Sequence, residues 1–266
     1  MKTLKSPHNQ YIKRAKQLNN KKFRDREGLF LLEGIRLIDE AINANYPLEY
    51  ALTVEGVEPD LIERLSQRCE TFFVPRDLLL TVAETEHPQG VVAVAKQKEY
   101  SLNDVIDENG NGLLMVVDGV QDPGNLGTII RTADAAGADG VVLTKNTVDP
   151  YNGKTVRSSM GSILRLKLIG EQCRSDLVDW LKTNGYLVVV GHVGAEKPYH
   201  EPDYSGRVAV VVGNENCGPS HEFKEAGCLV KIPCRTESLN VSIAAAILLY
   251  EKVRREYISD EGKIID

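Results

Sequence analysis

The chain has 266 residues, 42% of them hydrophobic and 26% charged, the make-up of a soluble globular protein long enough for two domains. Its longest apolar run, residues 243–250, is too short for a membrane span, and no apolar stretch backs the amino-terminal lysines as a secretory signal requires. The net charge of −6 hides an asymmetry: residues 1–26 hold nine Lys or Arg against one acid, Asp25, a net +8 that leaves −14 to the remainder.

Such a separation points to a basic face for a polyanion on an otherwise acidic protein, with a solvated tail as the alternative. Within it Tyr11, Ile12, Ala15 and Leu18 fall at helical spacing and predict an amphipathic basic helix. Five cysteines (69, 173, 217, 228 and 234) lack Cys-x-x-Cys spacing. They argue against a disulfide framework or zinc site and for a reducing cytoplasm.

The next elements alternate. A strand is predicted over 28–33, closed by Gly34, then a helix on Ile35, Leu37, Ile38, Ala41 and Ile42. A strand over 48–54, a helix around Leu61, Ile62 and Leu65, a strand over 72–74 and a helix over 77–83 follow. The turn His87-Pro88-Gln89-Gly90 leads into a strand over 91–95. This alternation predicts a small α/β domain over residues 1–96. The polar stretch 97–111 reads as a linker, and residues 112–266 as a second domain.

That second domain also alternates. Strands are predicted over 113–117, 140–143, 164–169, 187–190, 208–212 and 228–232, with helices over 125–136, 154–162 and 176–183 and a long one from Ser238. The apolar runs do not alternate with polar residues, which predicts a parallel sheet covered on both faces.

Three strand ends carry unusual residues. After 113–117 comes Asp122-Pro123-Gly124-Asn125-Leu126-Gly127, with Arg131 about two turns further on. After 208–212 comes Gly213-Asn214-Glu215-Asn216-Cys217-Gly218-Pro219-Ser220. After 228–232 comes Pro233-Cys234-Arg235-Thr236-Glu237-Ser238-Leu239-Asn240, where Ser238 is a candidate N-cap. Ligands of open α/β sheets bind at such carboxyl ends. Gly124-x-x-Gly127 lacks the third glycine of a dinucleotide fingerprint, and there is no phosphate-binding Gly-Lys-Ser/Thr loop. His192 follows a strand alone, with packing and ligand roles equally open.

In order, these loops resemble the motifs of the SpoU/TrmH family of RNA ribose 2'-O-methyltransferases, of the SPOUT superfamily, over residues 113–257. The pattern Asn-x-Gly-x-x-x-Arg-Thr-Ala-x-x-x-Gly is met by Asn125, Gly127, Arg131, Thr132, Ala133 and Gly137. Gly-x-Glu with a following glycine is met by Gly213, Glu215 and Gly218, and Ile-Pro with Ser-Leu-Asn-Val-Ser by Ile232, Pro233 and residues 238–242. Phe30-Leu31-Leu32-Glu33-Gly34 and His87-Pro88-Gln89-Gly90 match the family's RNA-binding extension. Asn216-Cys217 and the short loop 234–237 depart from the pattern.

The resemblance implies a knotted (trefoil) parallel-sheet methyltransferase domain preceded by a small α/β ribosomal-protein-like RNA-binding domain. It implies a homodimer that uses S-adenosyl-L-methionine and no metal, with Gly213, Ile232 and Leu239 on the cofactor. Asn125, Arg131, Glu215, Ser238 and Asn240 become the catalytic set. Asn125 and Asn240 would orient the ribose or Arg131, Glu215 would fix its loop or Arg131, and Ser238 would cap the last helix. Arg131 would stand at the centre. A guanidinium keeps its proton, so binding the adjacent phosphate and steadying the developing alkoxide is favoured over acting as a base.

RNA follows as substrate because only RNA carries the 2'-hydroxyl, with ribosomal RNA ahead of transfer RNA. Lys13, Arg14, Lys16, Lys21, Lys22, Arg24 and Arg36 are then the candidate RNA contacts. A non-catalytic RNA-binding or ribosome-assembly protein on the same fold is the rival, but it needs no joint set of Asn125, Arg131, Glu215 and Asn240. The apolar helix 241–250 is either a central core helix or partly buried against a second copy.

Overall fold

The structure is a computed structural model that describes residues 1–106 and 110–259. Residues 107–109 of the expected linker, and 260–266 at the end of the second expected domain, lie outside the described residues. In chain order the elements begin β1 (Lys2–Thr3), α1 (Gln10–Gln17), α2 (Lys21–Glu27), β2 (Leu29–Glu33), α3 (Ile35–Asn43) and β3 (Leu48–Thr53). They continue α4 (Pro59–Arg68), β4 (Glu70–Phe73), α5 (Arg76–Leu80), β5 (Val91–Lys96), β6 (Leu113–Asp118), α6 (Pro123–Ala135) and β7 (Gly140–Thr144). The rest are α7 (Gly153–Ser158), β8 (Leu168–Gln172), α8 (Arg174–Thr183), β9 (Leu187–Gly191), β10 (Val208–Gly213), α9 (His221–Ala226), β11 (Cys228–Val230) and α10 (Val241–Ser259).

Two compact units result. One comprises residues 1–98 with 149–165, the other 99–148 with the chain from 166 onward. Residues 149–165 thus belong with the first unit, which a division in chain order does not foresee. Two contacts explain it. The Tyr151 ring lies 4.7 Å from that of Phe30, and Asp149 takes the Arg24 guanidinium at 2.6 Å.

The first unit is built on a five-stranded sheet in the order β1-β4-β3-β5-β2. Its outer strand β1, unforeseen from the sequence, pairs parallel to β4. All four residues 29–32 are buried, because the sheet is covered on both sides. Leu29 and Leu31 join a core with Ile12, Ala15 and Leu18 of the amino-terminal helix region. The expected single basic helix is two helices. The Asn9 side chain accepts from Tyr11 N and the Asn20 side chain from Lys22 N, both at 2.9 Å, capping α1 and α2 separately.

This arrangement corrects one expected RNA contact. Arg24 is 3% exposed. Its guanidinium donates to Asp149 and, at 2.7 Å, to Leu18 O. It is an interior cross-link of the first unit rather than a phosphate ligand, since breaking a buried pair leaves an uncompensated charge.

The second unit has the predicted parallel sheet, six strands in the order β11-β9-β10-β6-β7-β8, with every pairing parallel. Residues 113–118 and 208–213 are buried throughout. Helices α8 and α9 pack with β9, while α6 and α10 pack on each other and α10 on β10. The strand expected over 164–169 begins later, at Leu168. Gly161 turns the chain with φ of 91° into a tight 3-10 turn, Ser162–Leu164, which uses up the first apolar residues of that run. Four neighbouring parallel strands, β11-β9-β10-β6, therefore deliver their carboxyl ends to one edge of the sheet.

Candidate active site

At that edge, the loops after β6, β10 and β11 are joined by one chain of hydrogen bonds. Glu215 accepts from Asn125 Nδ2 at 3.0 Å and from the backbone N–H of Gln121 and Asp122 at 3.2 Å each. The carboxylate can only accept, so it fixes the amide end of Asn125. Asn125 Oδ1 must then face the other way, where it accepts from Asn240 Nδ2 at 3.0 Å. Asn240 Oδ1 in turn accepts from Ser242 N at 2.9 Å and Ser242 Oγ at 2.6 Å. Each amide orientation follows from its neighbour.

Burial pushes the Glu215 carboxyl pKa up, but the bonds from Asn125, Gln121 and Asp122 outweigh it, and the net shift is downward. The carboxylate form is thus favoured at neutral pH. Its stabilisation is present above the unfolded pKa and fades only as pH falls through the lowered folded one.

The local caps differ from expectation. Asp122 accepts from Asn125 N at 2.8 Å and caps α6, which starts at Pro123, so Asn125 sits in the first turn. Asn240, not Ser238, caps α10: its carbonyl takes Ala244 N at 3.0 Å and its side chain takes Ser242 N. Ser238 lies two residues upstream, exposed, with its carbonyl accepting from Thr236 Oγ1. Asn240 takes the cap because, as the residue just before the helix, its side-chain oxygen reaches forward to the second helical N–H, that of Ser242.

Beneath this chain lies a residue that motif reading passed over. Asp118, the last residue of β6, is 2% exposed. It accepts from Ser220 N at 2.7 Å, Thr144 Oγ1 at 2.9 Å and Arg174 Nε at 2.7 Å. Asn214 Nδ2 adds a bond to Gly119 O at 2.9 Å. The loop after β10 is therefore clamped at both ends to the end of β6. A charged residue next to a glycine at a strand end was the available signal.

A cleft of about 640 Å³ opens between the loops after β10 and β11, lined among others by Gly213, Ile232, Ser238, Leu239, Asn240 and Ala244. Gly213 is required here for a reason other than ligand approach. A Cβ on it would lie 2.0 Å from Pro219 N, so the chain itself passes against this residue. The cleft brings together the expected Gly213, Ile232 and Leu239 with Glu215, Ser238 and Asn240.

Arg131 stands apart from that cluster. It is exposed on α6 and, among the described residues, its side chain makes no hydrogen bond or ion pair. Among the described residues, no group of three or more His, Cys, Asp or Glu is placed to hold a metal ion. No helix of the described residues is long and apolar enough to cross a membrane.

The basic residues of the first unit divide in two. Lys13, Lys16, Lys22 and Arg36 are exposed. Arg14 is half-exposed and pairs with Glu27 and Glu49, and Lys21 pairs with Asp25 at 2.7 Å.

The SpoU rRNA methylase family profile matches residues 112–250, and that of the MRM3-like substrate binding domain matches residues 9–93. The chain is 38% identical over 253 residues to the 23S rRNA (guanosine(2553)-2'-O)-methyltransferase RlmP of Bacillus subtilis, covering 94% of this chain and 98% of the relative. The AdoMet-bound rRNA methyltransferase of Sinorhizobium meliloti is 34% identical and superposes with a TM-score of 0.85, over 96% of this chain and 98% of the other. The SpoU methyltransferase AviRb of Streptomyces viridochromogenes, in complex with AdoMet, is 29% identical with a TM-score of 0.86, over 94% and 98%.

Proposed function

The chain belongs to the SpoU rRNA methylase family, and from that premise we propose that it transfers the methyl group of S-adenosylmethionine to a ribose 2'-hydroxyl of ribosomal RNA. The observation that carries this reading is the single hydrogen-bonded chain from Glu215 through Asn125 to Asn240, which joins all three motif loops beside one cleft. A binding module has no need of it.

The cleft fits the cofactor. Its volume lies in the range of small-molecule sites. Its apolar Ile232, Leu239 and Ala244 suit a nucleoside, and its acidic Glu215 and Glu237 suit a ligand bearing positive charge. S-adenosylmethionine supplies the electrophilic methyl group when bound. Everything else falls to the protein. Asn125 and Asn240, each held at both ends of its amide, orient the ribose. Arg131 binds the neighbouring phosphate and steadies the charge that grows on the 2'-oxygen, while the proton leaves late or through water. Ser238 lies on the wall of the cleft as a further polar group for substrate.

The first unit is read as the RNA-binding part, with exposed Lys13, Lys16, Lys22 and Arg36 as its phosphate contacts and Arg14 and Lys21 able to exchange their surface pairs. Removing residues 1–26 is a poor test, because Ile12, Ala15 and Leu18 belong to the core. Replacing Lys13, Lys16 and Lys22 by glutamine should instead weaken binding to ribosomal RNA and reduce the salt slope by about 2–3. Filter binding from 50 to 300 mM salt reads this out, and an unaltered slope would move the RNA face elsewhere.

Two further features of the reading are the trefoil knot and the homodimer. The knot is supported by the strand order and by the close pass of residues 218–219 over Gly213. The dimer is supported by α10, which buries Ala245, Leu248 and Leu249 while exposing Ile243, Tyr250 and Tyr257 at seven-residue spacing. That exposed stripe is what a second copy would cover. The free cysteines suit a cytoplasmic enzyme.

The reading is tested by incubating the enzyme and labelled cofactor with ribosomal RNA or transfer RNA from a strain deleted for its gene. Label should enter ribosomal RNA. Label in transfer RNA alone would move the substrate, and label in neither would favour a non-catalytic protein.

A further inference from the structure

The strand order places β9 between β10 and β11. His192, the residue after its carboxyl end, therefore emerges between the two loops that bound the cleft, and it lines the cleft wall. The ring is fixed. His192 N donates to Val230 O at 2.9 Å, His192 O accepts from Ala195 N at 3.2 Å, and Nδ1 accepts from Gly194 N at 3.2 Å. A Cβ at Gly194 would lie 3.1 Å from His192 Cε1, so that turn closes tightly over one side of the ring.

With Nδ1 committed as an acceptor, the proton of the neutral imidazole sits on Nε2, which is the ring's one remaining polar atom. Burial, and then the charge of Lys224, hold the His192 pKa below its ordinary value. The ring is therefore a neutral, oriented N–H donor at the wall of a cleft that otherwise carries carboxylates.

We propose that His192 is a cofactor-binding residue whose Nε2–H donates to an acceptor on the nucleoside part of S-adenosylmethionine. Charge sorts the ends of the ligand. The sulfonium and amine belong near Glu215 and Glu237, and a neutral donor suits the ribose and adenine. The inference rests on the cofactor occupying this cleft. His192 also sets a pH limit on binding. Protonation displaces the Gly194 N–H from Nδ1 and adds a positive charge facing a cationic ligand. Lys224 on α9 acts on the ring by its charge, and the titratable groups that share the cleft wall with it are Glu215 and Cys217 after β10 and Cys234 and Glu237 after β11. Affinity should thus be full above the lowered imidazole pKa and fall as pH drops through it.

Calorimetry on the full chain tests this with S-adenosylmethionine and with 5'-deoxy-5'-methylthioadenosine, which lacks the amino-acid end. His192→Ala should weaken both ligands about tenfold, the loss of one hydrogen bond. His192→Asn should recover part of the affinity and flatten its decline at low pH. A ligand-induced shift of the His192 ring proton in the wild-type spectrum gives the same answer without a variant. Alkylation of the exposed Cys217 and Cys234, both on the cleft wall, separates the premise from the inference. If cofactor leaves both thiols unprotected, the cleft assignment fails and the inference with it. If it protects them while His192→Ala binds both ligands like wild type and the ring proton stays put, the role of His192 alone is overturned.

Discussion

Arg131→Ala should cut methyl transfer by about a thousandfold, the upper range for one group that stabilises developing charge, while leaving cofactor affinity within about twofold. The two halves of that expectation come from one observation. Arg131 is exposed, without a partner among the described residues, and absent from the cleft wall. Nothing in the cleft leans on it, so stability should change by less than about 0.5 kcal/mol, as for other exposed sites. Tritium transfer, calorimetry and a thermal melt on the same preparation read all three. Loss of cofactor binding in step with activity would turn Arg131 into a structural residue, and near-normal turnover would remove it from the mechanism. Arg131→Lys should recover little, because a point charge replaces a planar fork.

Asp118→Ala should do the opposite: destabilise first and impair binding as a consequence. Asp118 accepts three hydrogen bonds, one from a guanidinium, at a site with almost no solvent access. Removing one partner of a buried pair costs about 3–5 kcal/mol. The lower end applies, since the Arg174 side chain keeps 24% of its exposure and can be rehydrated. A loss of about 3 kcal/mol corresponds to roughly 6–12 °C in melting temperature for a unit of this size. The loop from Gly213 to Ser220 would also lose its anchor, and cofactor affinity should drop more than tenfold in the folded fraction. Asp118→Asn keeps acceptor capacity without charge and should show a smaller loss of each. Unchanged melting and binding in Asp118→Ala would mean that the clamp is incidental.

The fold of the second unit was largely legible in the chain. Runs such as 113–117 and 208–212 are apolar on both faces, and only a covered parallel sheet hides both. Strand ends then marked where chemistry would gather, and Asn125, Glu215 and Asn240 do meet there. What was not legible depended on distant partners. Charge counting put Arg24 on an RNA face, but its partner Asp149 lies 125 residues away. Ser238 was the cap candidate, but Asn240 in the same short loop takes the role, as its bonds from Ser242 N and Ala244 N show. His192 looked isolated because β11, which flanks β9 on one side in the sheet, comes two strands later in the chain. Residues 149–165 carry no compositional mark of joining the first unit; Tyr151 and Asp149 show it only once Phe30 and Arg24 are in place.

The same logic explains why one observation outweighs the motifs themselves. Asn125 alone is an ordinary residue of a first helical turn. Bound between Glu215 and Asn240 it fixes the relative positions of three loops that are about 90 and 115 residues apart in sequence. That is the preorganisation a methyl transfer needs, because the protein contributes position and charge rather than bonds.

The most direct test of the account is the position of the transferred methyl group. Ribosomal RNA labelled by the wild-type enzyme from tritiated S-adenosylmethionine is hydrolysed in alkali, which requires a free 2'-hydroxyl at each cleaved linkage. The label should be recovered in alkali-resistant dinucleotides, as a 2'-O-methyl group dictates. Recovery in mononucleotides, with the methyl group on a base, would contradict it.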